Sequence, residues 1–329
     1  MRAIWYAETG PAADVLETGE IPDPRPAAGE VLVRIAASGI NPIDVKWRKG
    51  LRVLSDGEKV IPHFDGAGVI EDVGDGVSKE RIGERVWLYE GAWQRPAGTA
   101  AEFITLASDL AVPLPDGVEL AVGACLGIPA MTAHRCVYAD GPVAGQTVLV
   151  TGGGGAVGGF AIRFAKLGGA TVIATVSNGD KAALATKLGA DHVVNYKTED
   201  ATQRIKAIAG DGGVDRVVEV ALGVNFPVTA EIMSNNGVVA AYASDDQPEP
   251  TLPFRPFLYK NITVRHVLVF GIPGEAKADA ITDITGWLAA GEMKDAVGHR
   301  FPFEDAAKAH EAVEQGALGN VVIEINAGA

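Results

Sequence analysis

Residues 151–169, TGGGGAVGGFAIRFAKLGG, set four consecutive glycines directly behind the apolar run TVLV. Gly153, Gly155 and Gly158 have the spacing G-x-G-x-x-G. A strand pattern precedes them, a helical pattern follows, and a further strand comes about twenty residues on. In that context each glycine has a physical purpose: Gly153 for a tight turn, Gly155 for close approach of a pyrophosphate, Gly158 for close helix packing. The helix start adds unpaired N–H groups and partial positive charge. The next strand ends in ATVSNGDK. An Asp or Glu there bonds both ribose hydroxyls and repels a 2′-phosphate. Here the position holds Ser177 or Asn178, with Lys181 close behind and no acid before Asp180. That set suits a phosphate monoester and points to NADP rather than NAD; the plainer alternative is a solvated turn with an exposed lysine. His134, inside an apolar helix, reads as a core histidine more readily than as a general acid.

The elements that must position these residues follow from periodicity. EVLVRIAAS (30–38), GAGVIEDVG (66–74), ERVWLYE (84–90) and AAEFITLA (100–107) are apolar or alternating runs between turn signals, predicting a β-rich domain, a partly open barrel. Residues 120–138 predict one long buried helix. From 147 onward strands (147–150, 171–176, 192–196, 215–222, 237–243, 262–270) alternate with helices, predicting a doubly wound parallel sheet of six strands. Thr198 is a candidate N-cap, with Glu199 and Asp200 in the first turn. The tail predicts two amphipathic helices and a final strand that pack back on the N-terminal domain.

At 329 residues two domains are expected. The net charge of −14 argues against nucleic acid and anionic membrane surfaces. No apolar run approaches a membrane span and the start lacks a secretory pattern, so a cytoplasmic protein is expected. Two cysteines, Cys125 and Cys136, provide neither a disulfide framework nor a four-thiolate zinc knuckle.

GEVLVRIAASGINPIDVKWRKG, DGAGVIEDVG, GERVW, GTAAEFITLA, CLGIPAMTAHR, TVLVTGGGGAVG, KLGADHVVNYKTED and the closing FEDAAKAHEAVEQGALGNVVIEI carry a nearly end-to-end resemblance. The chain resembles the medium-chain dehydrogenase/reductase superfamily, and within it the zinc-independent quinone oxidoreductases of the zeta-crystallin type. The resemblance implies an α/β fold: a GroES-like β-rich catalytic domain (1–122 and 271–329), a Rossmann NADPH-binding domain (123–270) and a cleft between them. Zinc-dependent members bind their metal at positions that here align with Asn41, Phe64 and Ile128, none a practical ligand, so no metal is expected.

Carried over residue by residue, the resemblance implies Gly154, Gly155, Ala156 and Val157 under the pyrophosphate, and Ser177, Lys181 and Tyr196 around the 2′-phosphate. Asn225 lies along the cofactor, Tyr242, Ala243 and Ser244 border the nicotinamide ribose, and Phe270 stands where strand backbone holds the carboxamide. Asn41, Asp44 and Thr132 are the expected catalytic positions near the nicotinamide, without a covalent nucleophile; Asp44 alternatively only pins its loop. Lys46, Trp47 and Arg52 stand where bacterial relatives often carry tyrosines, Asn320 replaces a common lysine, and Trp93 and Arg95 lie in a longer connection. The implied activity is hydride transfer from NADPH to a small-molecule quinone. The alternatives are an enone or alkenal double-bond reductase and a non-catalytic NADPH-binding protein. The strand 262–270 ends the sheet, and its open edge predicts a homodimer.

Overall fold

The alternating runs of the first hundred residues become antiparallel strands in the computed structural model, which describes residues Met1–Asn326 except Lys294. The chain divides into two compact units, Met1–Pro129 joined by the segment from Ile281 onward, and Ala130–Ala280.

In the first unit β1 (Arg2–Trp5) and β2 (Glu17–Glu20) form a small ribbon. The main sheet contains β3 (Glu30–Ile40), β4 (Asp65–Val73), β5 (Arg85–Leu88), β6 (Phe103–Ala107) and β7 (Ala111–Pro113). The C-terminal strands (β14, Val297–Pro302, and β15, Asn320–Glu324) complete it in the order β14-β15-β3-β4-β5-β7, with β6 also on β3. Val31, Val33, Ile35, Ile70, Leu88, Ile104, Val321 and Ile323 interleave from these strands into one core. Ala306 and Ala309 of the helix Ala306–Glu314 join them, small residues that let the helix lie close. The sequence patterns missed β14, whose VGHRFP is mostly exposed and holds to β15 chiefly through main-chain pairing.

The second unit is a parallel sheet of β8 (Thr147–Val150), β9 (Thr171–Val176), β10 (His192–Asn195), β11 (Val214–Glu219), β12 (Met233–Ala241) and β13 (Thr263–His266). Its order is β10-β9-β8-β11-β12-β13, the doubly wound arrangement, with the direction of winding reversing between β8 and β11. The inner strands are buried on both faces, as a sheet covered on both sides requires. Arg216 is buried on β11 and donates to the carbonyls of Val137, Asp140 and Gly141, at the end of the helix Met131–Tyr138. A cation at a helix C-terminus meets the orphan carbonyls there.

Four expectations about the elements are corrected. The helix Ala201–Ala209 is capped by Asp200, whose Oδ1 accepts the Gln203 N–H at 3.1 Å, and not by Thr198. The long helix 120–138 is broken into Leu120–Gly123, a wide turn Leu126–Ala130 and Met131–Tyr138, because Pro129 has no N–H for a regular ladder. The last sheet strand stops at His266. Phe270 therefore lies in the short turn Val269–Gly271 and not on a strand. β11 ends at Glu219, and Leu222 already opens the helix Leu222–Ile232.

Candidate functional site

At the C-terminal end of β8 the chain turns at Gly152, whose φ of +68° favours glycine; the tight turn falls here and not at Gly153. Gly153 instead packs, a Cβ there meeting that of Ala174 at 2.9 Å. Gly154 lies under the aliphatic stem of Lys181, a Cβ reaching its Cγ at 2.6 Å. Gly155 is open: its hypothetical Cβ meets nothing nearer than the Gly152 carbonyl oxygen at 3.4 Å. It is also the N-cap of the helix Ala156–Leu167, which no side chain caps. The first-turn N–H groups at Ala156 and Val157 therefore face a place bare of side-chain acceptors. Gly158 presses on the Gly152 carbonyl, so the helix starts directly against the turn.

Beyond β9, Asn178 caps the helix Gly179–Lys187, its Oδ1 accepting the Lys181 N–H at 2.9 Å. That engages the Asn178 carbonyl oxygen, while Ser177 and Lys181 beside it are both partly buried. Tyr196 stands alongside, its N–H donating to the Val176 carbonyl at 3.1 Å while its half-exposed ring receives the Lys197 ammonium at 5.4 Å. Ser177, Lys181 and Tyr196 are thus gathered at the ends of β9 and β10.

The end of β11 holds a residue the sequence patterns did not single out. Glu219 is fully buried, and its Oε1 accepts from Thr151 Oγ1 (2.9 Å), Ala221 N (2.6 Å) and Asn225 Nδ2 (2.9 Å). Burial raises its carboxyl, opposed by those bonds. Its one signal in sequence is an acid inside the apolar run VVEVAL. The next strand end is tied to the same place: Tyr242 N–H donates to the Glu219 carbonyl, and Ser244 Oγ accepts the Gly223 N–H. The segments of Gly154–Val157, Asn225 and Tyr242–Ser244 therefore converge at the ends of β8, β11 and β12. Thr132 is buried on the helix Met131–Tyr138, and His134 of that helix packs between the rings of Tyr138 and Phe164, a core position. Cys125 and Cys136 are free and buried, burial raising both thiols.

The first unit carries a second cluster. Asp44 Oδ2 accepts the Asn41 N–H at 2.7 Å and so holds the start of the helix Pro42–Lys46. Asn41 Nδ2 donates to Asp65 Oδ2 at 2.7 Å, and Ile128 N–H reaches both Asp65 oxygens at 2.9 Å. Asp65 has no exposed surface, and burial pushes its carboxyl up to about 7 despite these donors. Burial likewise raises Asp44.

Behind them runs a chain of hydrogen bonds whose direction is fixed by its end. Thr99 Oγ1 donates to the Asp65 carbonyl (2.6 Å), so Ser38 Oγ must donate to Thr99 (2.7 Å). His63 Nδ1 then donates to Ser38 (2.8 Å), and His310 Nε2 donates to His63 Nε2 (2.9 Å). Both imidazoles are neutral in this chain, and desolvation lowers His63 to about 3 and His310 well below its usual range. His63 adopts φ of +79°, a conformation that the chain of bonds on both ring nitrogens holds in place. Next to it Phe64 meets Trp47 edge-on at 4.9 Å. Trp47 also lies 6.2 Å from Trp93 and beneath the Arg52 guanidinium at 5.2 Å.

With this geometry in view, comparison with known proteins is direct. The alcohol dehydrogenase GroES-like domain model matches residues 27–116, and the zinc-binding dehydrogenase model residues 156–285. The quinone oxidoreductase of Rattus norvegicus is 30% identical across 98% of this chain and 97% of its own. A chloroplast envelope quinone oxidoreductase homolog of Arabidopsis thaliana is 29% identical, covering 98% of each chain. Among solved structures, Escherichia coli quinone oxidoreductase complexed with NADPH superposes with a TM-score of 0.87 at 25% identity, over 98% of this chain and 100% of that one. An NAD-dependent alcohol dehydrogenase gives 0.90 at 29%, over 99% and 100%. The chain belongs to the quinone oxidoreductase family, oxidoreductases of the medium-chain dehydrogenase/reductase superfamily.

Proposed function

We propose that this protein is an NADPH-dependent reductase of quinones that works without zinc. The observation carrying the reading is the union of two features at the ends of β8 and β9: an uncapped, glycine-led helix start, and a lysine laid across the glycine loop where no acid stands. The first fits a pyrophosphate and the second a 2′-phosphate. Gly155, Ala156 and Val157 would hold the pyrophosphate, and Ser177, Lys181 and Tyr196 the phosphate monoester.

The matched family description names zinc, and the donor set here does not fit that ion. The aligned positions hold the Asn41 amide, engaged with Asp65, and the side chains of Phe64 and Ile128. Two hydrocarbon side chains and an amide supply none of the thiolate or imidazole donors that zinc takes. Alcohol oxidation at neutral pH requires stabilising an alkoxide, which a Lewis-acid metal does well. Without one, the favoured partners are compounds that already accept hydride readily, and the relatives named as quinone oxidoreductases support quinones. NADPH, when bound, supplies the hydride. The protein's own part is to position and to donate hydrogen bonds: Asn41, its amide held by Asp65, orients an acceptor oxygen, and Asp44 fixes the backbone that presents it. The aromatic group of Phe64, Trp47 and Trp93, with Arg52 over it, supports a planar acceptor.

The test is stopped-flow oxidation of protein-bound NADPH by a panel of quinones and enones, with elemental analysis of the same sample. Rapid quinone turnover with no stoichiometric zinc is expected. Rapid enone turnover without quinone turnover would assign a double-bond reductase instead, and tight NADPH binding with no acceptor ever oxidising it would leave a binding protein.

A further inference from the structure

Glu219 has an asymmetric environment. Its Oε1 takes three donors, while Oε2, equally buried, has no hydrogen-bond partner. The three donors come from different segments: Thr151 precedes the glycine loop, Ala221 lies in the β11–helix connection, and Asn225 sits in the first turn of the helix Leu222–Ile232. Thr151 is itself locked, since its Oγ1 accepts the Val220 N–H at 2.9 Å. The bond to Asn225 decides the sense of an amide. With Nδ2 committed to Glu219, Asn225 Oδ1 is solvent-accessible and accepts from no described residue.

Resting on the dinucleotide reading above, we propose that Glu219 is the positioning residue of the cofactor site: it holds the Asn225 amide so that an acceptor oxygen, not a donor nitrogen, is offered to the bound dinucleotide. The complementary group on the ligand is a donor, a ribose hydroxyl or the nicotinamide carboxamide N–H. A carboxylate is suited to this task because it accepts only. It cannot donate to the amide oxygen and turn the amide over.

Substitutions at the two positions test the proposal. In Asn225→Asp two carboxyl groups meet where a hydrogen bond stood, and NADPH affinity, read by titration calorimetry, should fall about tenfold or more. Glu219→Gln keeps an acceptor for all three donors and should stay within about threefold. Glu219→Ala removes that acceptor, and with the fold checked by thermal melting its NADPH affinity should fall about tenfold. The effect belongs in the KM for NADPH, with kcat at saturation changed much less. Unchanged binding in Asn225→Asp overturns the proposal, as does a folded Glu219→Ala with full NADPH affinity. If Asn225→Asp does not fold, Asn225→Ala replaces it, and a folded Asn225→Ala with full NADPH affinity is equally fatal. Absence of NADPH uptake by the unmodified protein would instead refute the proposed function.

Discussion

Lys181 acts through two parts of one side chain. Its stem lies on Gly154, and in the proposed reading its ammonium meets a ligand phosphate. Lys181→Ala should weaken NADPH binding by about 1–2 kcal/mol, roughly tenfold, the loss of one charge-assisted contact, with little change for NADH. Parallel fluorescence titrations with the two dinucleotides measure this, and equal weakening of both would remove Lys181 from phosphate recognition. Asp65 is the other residue whose chemistry is set by its surroundings. A carboxyl pushed up to about 7 beside Asn41 titrates in the working range of an enzyme. The pH profile of kcat/KM should break near that value in the native protein, and Asp65→Asn should lose the break.

The glycine loop and the helix behind it behave as one element, and its glycines are not equivalent. A methyl at 158 would meet main-chain oxygen of Gly152, which has nowhere to go without lifting the helix from the turn. A methyl at 154 meets the Cγ and the Cβ of Lys181, at 2.6 and 2.7 Å, so the start of that side chain must shift. Gly158→Ala is therefore expected to destabilise the fold by about 1–3 kcal/mol, as overpacking does, and to abolish dinucleotide binding. Gly154→Ala should lower the melting temperature less than Gly158→Ala and act mainly on NADPH, by moving Lys181. Thermal melts combined with the same titrations separate these outcomes; an unfolded Gly154→Ala protein would contradict the assignment.

At the scale of the whole molecule, charge and surface decide. Two buried neutral histidines, His63 and His310, have folded-state values below the unfolded one, so their stabilisation is complete above about pH 6.5 and is lost as pH falls. Asp65 and Asp44 are raised, and their stabilisation grows as pH falls toward the ordinary carboxylate range and is lost as pH rises through their folded values. The two pairs oppose one another as pH falls below about 6.5, the histidines costing stability while the carboxyls return it. Removing one member, in Asp65→Asn, should make the loss of stability on acidification steeper than in the native protein, measurable as urea midpoints across pH. The surface makes a separate prediction. β13 leaves an open sheet edge, and Phe254, Leu258, Tyr259 and Leu268 near it in sequence are more than half exposed. A homodimer formed through this edge covers both. Leu268→Glu with Tyr259→Glu should give a monomer by light scattering, and a native protein already monomeric at micromolar concentration would refute the dimer.

The parallel sheet, its six strands and the dinucleotide loop were legible in the sequence because each rests on local periodicity or on a spacing that one turn of backbone enforces. The same is true of the missing acid after β9, which is a matter of residue type. What local pattern could not show was which side chains meet. Short exposed strands such as β14 are held by partners distant in the chain, and their own residues carry little periodicity. The break at Pro129 hid inside a uniformly apolar stretch. Glu219 and Asp65 look like stray acids in apolar strands, and His63 and His310 are 247 positions apart. Their function follows from what surrounds them: burial removes water, so each polar atom's state is set by the one or two atoms in reach. Those neighbours come from remote segments, and only the folded chain brings them together.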